Sequence, residues 1–399
     1  METNSYKTKT MMLERNNGQI AGIYPVALDI GYSSVKIFCP NKTACFPSFA
    51  KKYVNKGMIG EIPSDFISYT DLETGENWLV GGSALADTSD NEAEESDEAL
   101  YGRQRYYDPM FRVIASAGLG IALMANRHGS IGKRKLVVQT GLPPKYTRDS
   151  DALRDVLSGR HHFSLRIGNN APQEFDFTLS PEDIAIMMQP MGTFFSAIKD
   201  DRNKYVSDIN SFISKNILIF DAGFGTFDLF LIKNHAVKDS QTFSDLGMKR
   251  VFQETIEGIR KEMGAELSVS DMQKYLETGE IKIFDRKLFK SSYKPYGHLL
   301  EQASKKICKQ AIERTAQVYP LNEIDYLVIT GGTGAAWERE IRNTFSEMDT
   351  MKILSGNQND TSLPFIFANV RGYYMYRCSA LEDTFGQMRF EEAEDRLCG

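Results

Sequence analysis

Ile217-Leu-Ile-Phe-Asp-Ala-Gly-Phe-Gly-Thr-Phe-Asp-Leu-Phe-Leu-Ile232 holds two apolar runs, Ile217–Phe220 and Leu229–Ile232, on either side of a turn with glycines at 223 and 225. Aromatic and β-branched runs flanking a glycine turn predict a β-hairpin. The turn also carries Asp221, where the first run ends, and Thr226. Glycine turns can gather backbone N–H groups into a concave nest that suits phosphate. A carboxylate beside that nest repels phosphate unless a divalent cation or its water lies between them. Taken alone, the stretch reads more readily as a structural hairpin.

The same grammar occurs near the start of the chain. Tyr24-Pro-Val-Ala-Leu-Asp-Ile-Gly-Tyr-Ser-Ser-Val-Lys-Ile-Phe38 is an apolar strand, Asp29, a Gly31/Ser33/Ser34 turn and a second strand with Lys36. An ammonium there adds a compact point charge suited to phosphate oxygens. A third glycine-bearing strand end, Ile324-Asp-Tyr-Leu-Val-Ile-Thr-Gly-Gly-Thr-Gly334, precedes a helical segment at Ala335–Phe345. It lacks the G-x-G-x-x-G spacing of a dinucleotide fold and the Gly-Lys-Ser/Thr of a P-loop. A Gly-Gly turn into a helix does let a base and ribose approach the backbone closely.

Composition sets the frame around these turns. A chain of 399 residues exceeds one simple core, so two domains or a duplicated one is the prior. A net charge of -6 argues against direct nucleic-acid contact. The five cysteines show no Cys-x-x-Cys spacing and read as reduced thiols. Without an apolar run long enough to span a bilayer, or the apolar core of a signal peptide, the expected location is cytoplasmic, away from membranes.

Residues 1–22 are polar and weakly periodic, and read as a flexible arm. Asp87–Glu98 is an acidic run without EF-hand spacing, and reads as a solvated loop. Helical periodicity marks Tyr106–Asn126, Gly247–Met263 and Leu299–Val318. His162–Ile167 and Gln173–Leu179 read as a hairpin, and Ile184–Gln189 as a strand ending in a polar residue before Pro190.

Asp29–Lys36, Asp221–Asp228 and Val328–Gly334 together resemble, in order and spacing, the first phosphate, second phosphate and adenosine motifs of the actin-like ATPase superfamily. Phe46-Pro-Ser48, Val138–Pro143, Asp245–Met248 and Ala368-Asn-Val-Arg-Gly-Tyr373 resemble the ParM-type plasmid-segregation actins within it. The resemblance implies an α/β, two-domain fold of duplicated ribonuclease-H-like domains with a nucleotide cleft between them. It places domain I at 23–205 with an insert at about 45–105, and domain II at 206–370 with an insert at about 245–298. Residues 371–399 return to domain I.

Carried over position by position, Gly31, Tyr32, Ser33, Ser34 and Lys36 would hold the β-phosphate, and Gly223, Phe224, Gly225 and Thr226 the γ-phosphate. Gly331, Gly332 and Thr333 would meet the adenosine. Asp29 and Asp221 would hold magnesium through waters, and Gln189 with Asp221 would be catalytic. The implied cofactors are ATP, with GTP as the alternative, and Mg. Gln189 cannot act as a base, so it would orient the attacking water. Asp228 is either a supporting acid or a plain strand residue.

The implied function is a cytomotive filament that moves plasmid DNA through a small DNA-binding adaptor, with the chain itself as the filament partner. Two alternatives come from the same superfamily. A small-molecule kinase needs a carboxylate base, for which no motif is present. A non-polymerising pilus or division scaffold often ends in a membrane-binding helix, whereas the tail Met388–Leu397 is acidic.

Overall fold

The computed structural model describes residues 3–54, 61–87, 103–285 and 288–397, with side chains up to residue 382. Most of the acidic run lies outside the described residues.

A six-stranded and a five-stranded sheet share the topology of five strands. In the first, Lys42–Pro47, Ser34–Cys39 and Ile23–Ile30 pair antiparallel, and Lys135–Leu142 and Ile184–Met188 continue parallel. In the second, Ala236–Phe243, Phe227–Lys233 and Ile217–Ala222 pair antiparallel, followed by the parallel Tyr326–Thr330 and Lys352–Ser355. The shared order makes the chain a duplication. The central strands are buried along their length because helices cover both faces, which is why they read as continuous apolar runs rather than alternating ones.

Helix Pro109–Leu123 packs against the first sheet. Asp108 caps it by accepting from the Met110 N–H, and Pro109 occupies the first turn, where a missing N–H costs nothing. Helices Met248–Met263 and Gly297–Val318 cover the second sheet and bury Val251, Phe252, Ile259, Leu300 and Ile307. Between them lies the two-stranded hairpin Glu280–Asp285/Lys290–Pro295. A further sheet, Gln173–Leu179 to Ala50–Lys52, sits on the first domain.

The domains exchange helices. Gln189–Ile198 leaves the first sheet and packs on Ile217, Ile219, Phe230 and Val328 of the second. Ala368–Leu397 leaves the second domain and packs Val370, Tyr373 and Tyr374 on Ala27, Phe38 and Cys45 of the first. The two helices cross where Gly192 meets Gly372. A Cβ on Gly372 would lie 1.6 Å from the Gly192 carbonyl oxygen, so no side chain fits.

The expectation of a flexible N-terminal arm does not hold. Thr3–Tyr6 forms a turn of 3₁₀ helix, and Met11–Glu14 pairs antiparallel with Lys42–Pro47 as a sixth strand of the first sheet. Polar composition concealed this because an edge strand with alternating burial needs only every second residue apolar, here Met11 and Leu13. No helix among the described residues is long and apolar enough to cross a membrane.

Candidate functional site

The two antiparallel hairpins of the duplication face each other across a cavity of about 250 Å³. Their turns close with the same bond. Gly31 N–H donates to the Ser34 carbonyl at 3.0 Å, and Gly223 N–H to the Thr226 carbonyl at 2.9 Å. Their acids also correspond. Asp29 sits opposite Lys36 in the first hairpin, and Asp221 opposite Asp228 in the second. Lys36 and Asp228 are therefore equivalent positions of opposite charge.

All of the site residues singled out from sequence share this cavity. Asp29, Gly31, Tyr32, Ser33, Ser34, Lys36, Gln189, Asp221, Gly223, Phe224, Gly225, Thr226, Gly331, Gly332 and Thr333 line it, and so does Asp228. Tyr32 and Gly225 meet directly across the cleft, since a Cβ on Gly225 would stand 2.5 Å from the Tyr32 ring. Thr333 Oγ1 donates to the Gly223 carbonyl at 2.7 Å and ties the third turn to the second. Gly331 has φ +84°, and a Cβ there would meet the Ala222 carbonyl oxygen at 2.2 Å and Asp221 Oδ1 at 2.7 Å, so glycine is required.

Lys36 Nζ lies 2.8 Å from Asp29 Oδ2. Burial pulls the ammonium down, but the charge and hydrogen bond of Asp29, with Asp221 behind it, outweigh burial and raise it above its ordinary value. Burial pushes the Asp221 carboxyl up to about 6, Asn369's hydrogen bond opposing and Asp29's charge adding. Burial also pushes Asp228 up to about 7, with Asp221's charge adding to it. Both hydroxyls beside Asp228, Thr226 Oγ1 and Thr242 Oγ1, donate to it. Asp228 thus holds the Thr226 hydroxyl in the turn.

Gln189 differs from its expected setting. It is the first residue of the helix Gln189–Ile198 rather than the end of a strand, because Pro190 favours the first helical turn. Its Nε2 donates to Asp29 Oδ1 at 3.1 Å.

Sequence reasoning missed three contributors. Asn369 donates to Asp221 Oδ2 at 2.7 Å, while its Oδ1 accepts from Thr193 N–H and Thr193 Oγ1. The stretch Ala368–Tyr373 stood out, yet nothing in it says that its Asn reaches an acid 148 residues away. Buried Arg105 donates to the Ile30 carbonyl at 2.7 Å, and its guanidinium lies 4.4 Å from the Tyr32 ring centroid. The N-terminal segment Asn4–Lys9 lines the cavity as well.

A pair of buried acids, one neutralised by Lys36, leaves a place for a cation, and two glycine turns flank it. No cluster of three metal-ligating side chains exists among the described residues, so a cation held here would need water or a bound ligand to complete its shell.

The sequence model described as "Actin like proteins N terminal domain" matches residues 27–192. The fold is that of the actin-like proteins. A ParM described as the "pCBH ParM non-polymerisable quadruple mutant" is 20% identical, with 89% of this chain and 99% of that chain covered at a TM-score of 0.68. A 15-stranded ParM filament from Clostridium botulinum is likewise 20% identical over 89% and 99% of the two chains, at 0.66. An archaeal actin homologue, Ta0583 in complex with ADP, is 16% identical over 90% and 100%, at 0.55. No curated protein sequence matches significantly. At these identities the likeness establishes the actin-like architecture, with its cleft between duplicated domains.

Proposed function

We propose that this actin-like chain is an ATPase that polymerises when it binds nucleotide and falls apart after hydrolysis. The observation that carries the reading is the convergence of two equivalent hairpins, with Asp29 and Asp221 at matching positions, on one cavity closed by the Gly331 turn. The ADP complex of the archaeal homologue and the filament of the Clostridium botulinum ParM support it by analogy.

In this reading Lys36 and the Gly31–Ser34 turn hold the β-phosphate, and the Gly223–Thr226 turn holds the γ-phosphate. The base and ribose lie against Gly331–Thr333. Asp29 and Asp221 hold magnesium through water. When bound, magnesium would neutralise charge on the phosphate oxygens. Gln189, released from Asp29, orients water towards the γ-position. An amide cannot take the proton, so positioning dominates and turnover is slow. Asp228 keeps Thr226 aimed into the cleft. Loss of the γ-phosphate empties only the second turn, which Thr333 and Asn369 connect to the third turn and to the crossing helices.

The cargo in this proposal is plasmid DNA, held through a small DNA-binding adaptor, in keeping with the chain's net charge of -6. Sedimentation with ATP, with a non-hydrolysable analogue and without nucleotide tests assembly. Pelleting should require nucleotide and persist with the analogue. Equal pelleting in all three conditions, or none at high protein concentration, would rule the proposal out.

A further inference from the structure

The strand Met11–Glu14 has no counterpart in the second sheet, so it is an addition to the duplicated plan. The residues just before it belong to the other domain. Tyr6 is 7% exposed within the second domain's core, and its Oη donates to Ser304 Oγ at 3.1 Å. Thr3 Oγ1 donates to the Leu276 carbonyl at 2.7 Å, and Lys7 Nζ pairs with Glu277 Oε2 at 2.6 Å. Only Lys7–Thr10 then separate Tyr6 from the strand on the first domain. Four residues reach at most ~14 Å, so the domains cannot part widely while both anchors hold.

This bridge lies on the site itself. Asn4–Lys9 line the same cavity as Asp29, Asp221 and Gly331. The space left beneath it, about 250 Å³, is smaller than the ~300–1,000 Å³ of usual small-molecule sites. A ligand that enters this cavity therefore passes close to the segment.

We propose that residues 3–14 form a strap over the cleft that gates nucleotide entry and exit. The strand end is the fixed anchor, because its backbone ladder and the Cys45 Sγ bond to the Lys9 carbonyl hold it to the first sheet. The Tyr6 end is the releasable one, its contacts including the Tyr6 ring, two hydroxyl bonds, the Thr8 N–H bond to Gln273 Oε1 and a surface ion pair rather than a strand ladder. Opening withdraws Tyr6 from beside Ser304, and closure reseats it.

The gating role rests on the nucleotide reading above, but the tether does not, so two measurements separate them. Small-angle scattering of the nucleotide-free protein compares wild type with Tyr6→Ala and with Lys7→Glu, a surface change that opposes Glu277 without disturbing the core. Both variants should have a larger radius of gyration, and unchanged values would overturn the strap. Stopped-flow mixing with a fluorescent ATP analogue then reads entry and exit. Association and dissociation should both accelerate, about tenfold for Tyr6→Ala and less for Lys7→Glu. Rates within twofold of wild type would overturn the gating role. Faster association with unchanged dissociation would overturn it in favour of a simple plug. An analogue that fails to bind wild type would refute the nucleotide reading and the gate with it, leaving scattering to judge the tether.

Discussion

Asn369 donates to Asp221 Oδ2 at 2.7 Å and accepts two hydrogen bonds from Thr193, so one amide joins the second domain's acid to both crossing helices. Asp221 lies at the end of a strand, while Asn369 and Thr193 ride on the helices that each domain lends to the other. Any rotation between the domains changes the donor set around the acid.

Asn369→Ala should therefore lower stability by about 1–3 kcal/mol, the cost of leaving buried polar partners unpaired. It should also weaken magnesium-nucleotide binding about tenfold. Denaturant melts and calorimetric titration measure the two effects, and wild-type values in both would show that the contact is incidental.

Asp221→Ala removes a buried charge rather than a packing group. The fold should survive, with nucleotide-free stability equal to wild type or higher. Hydrolysis should fall at least a hundredfold, and filaments should persist after ATP is added. Disassembly at the wild-type rate would contradict the role given to this acid.

Gly372→Ala places a methyl 1.6 Å from the Gly192 carbonyl oxygen, a backbone atom that cannot swing aside. The crossing helices must separate, at a cost of about 3 kcal/mol. Thermal unfolding checks this, and a melting temperature unchanged within a degree would mean that the crossing is looser than its geometry implies.

His161 gives the chain an acid limit. Buried between Ser116 Oγ and the Leu157 carbonyl and stacked on Phe177, its imidazole is pushed from 6.5 down to about 4, chiefly by burial. A depressed histidine contributes stability above its unfolded value and loses it as pH falls through the folded one. Stability should drop by roughly 3 kcal/mol between pH 6.5 and pH 4. His161→Gln should flatten that part of the profile, and an unchanged slope would assign the acid limit to other groups.

The parts of this account that sequence made legible are those encoded within a few neighbouring residues. A strand, an acid, a glycine turn and another strand declare a hairpin locally, and its recurrence at Asp29 and Asp221 declares the duplication. The third turn at Gly331 is local as well. What stayed hidden depends on contacts between distant segments. Asn369 acts through an acid far away in sequence, and Arg105 through the Tyr32 ring and the Ile30 carbonyl. The N-terminal segment misled because Thr3–Tyr6 is ordered by the second domain's core and Met11–Glu14 by the edge of the first sheet, not by its own propensity. Gln189 was shifted by one element because the residue before a proline marks either a strand end or a helix start.

The most direct test of the central claim is calorimetric titration of the purified chain with ATP in the presence and absence of magnesium, alongside Asp29→Ala. One nucleotide per chain should bind when magnesium is present, with affinity at least tenfold weaker without it and in the variant. Binding indifferent to both magnesium and Asp29, or no binding at millimolar ATP, would contradict a cleft built from two phosphate-holding hairpins.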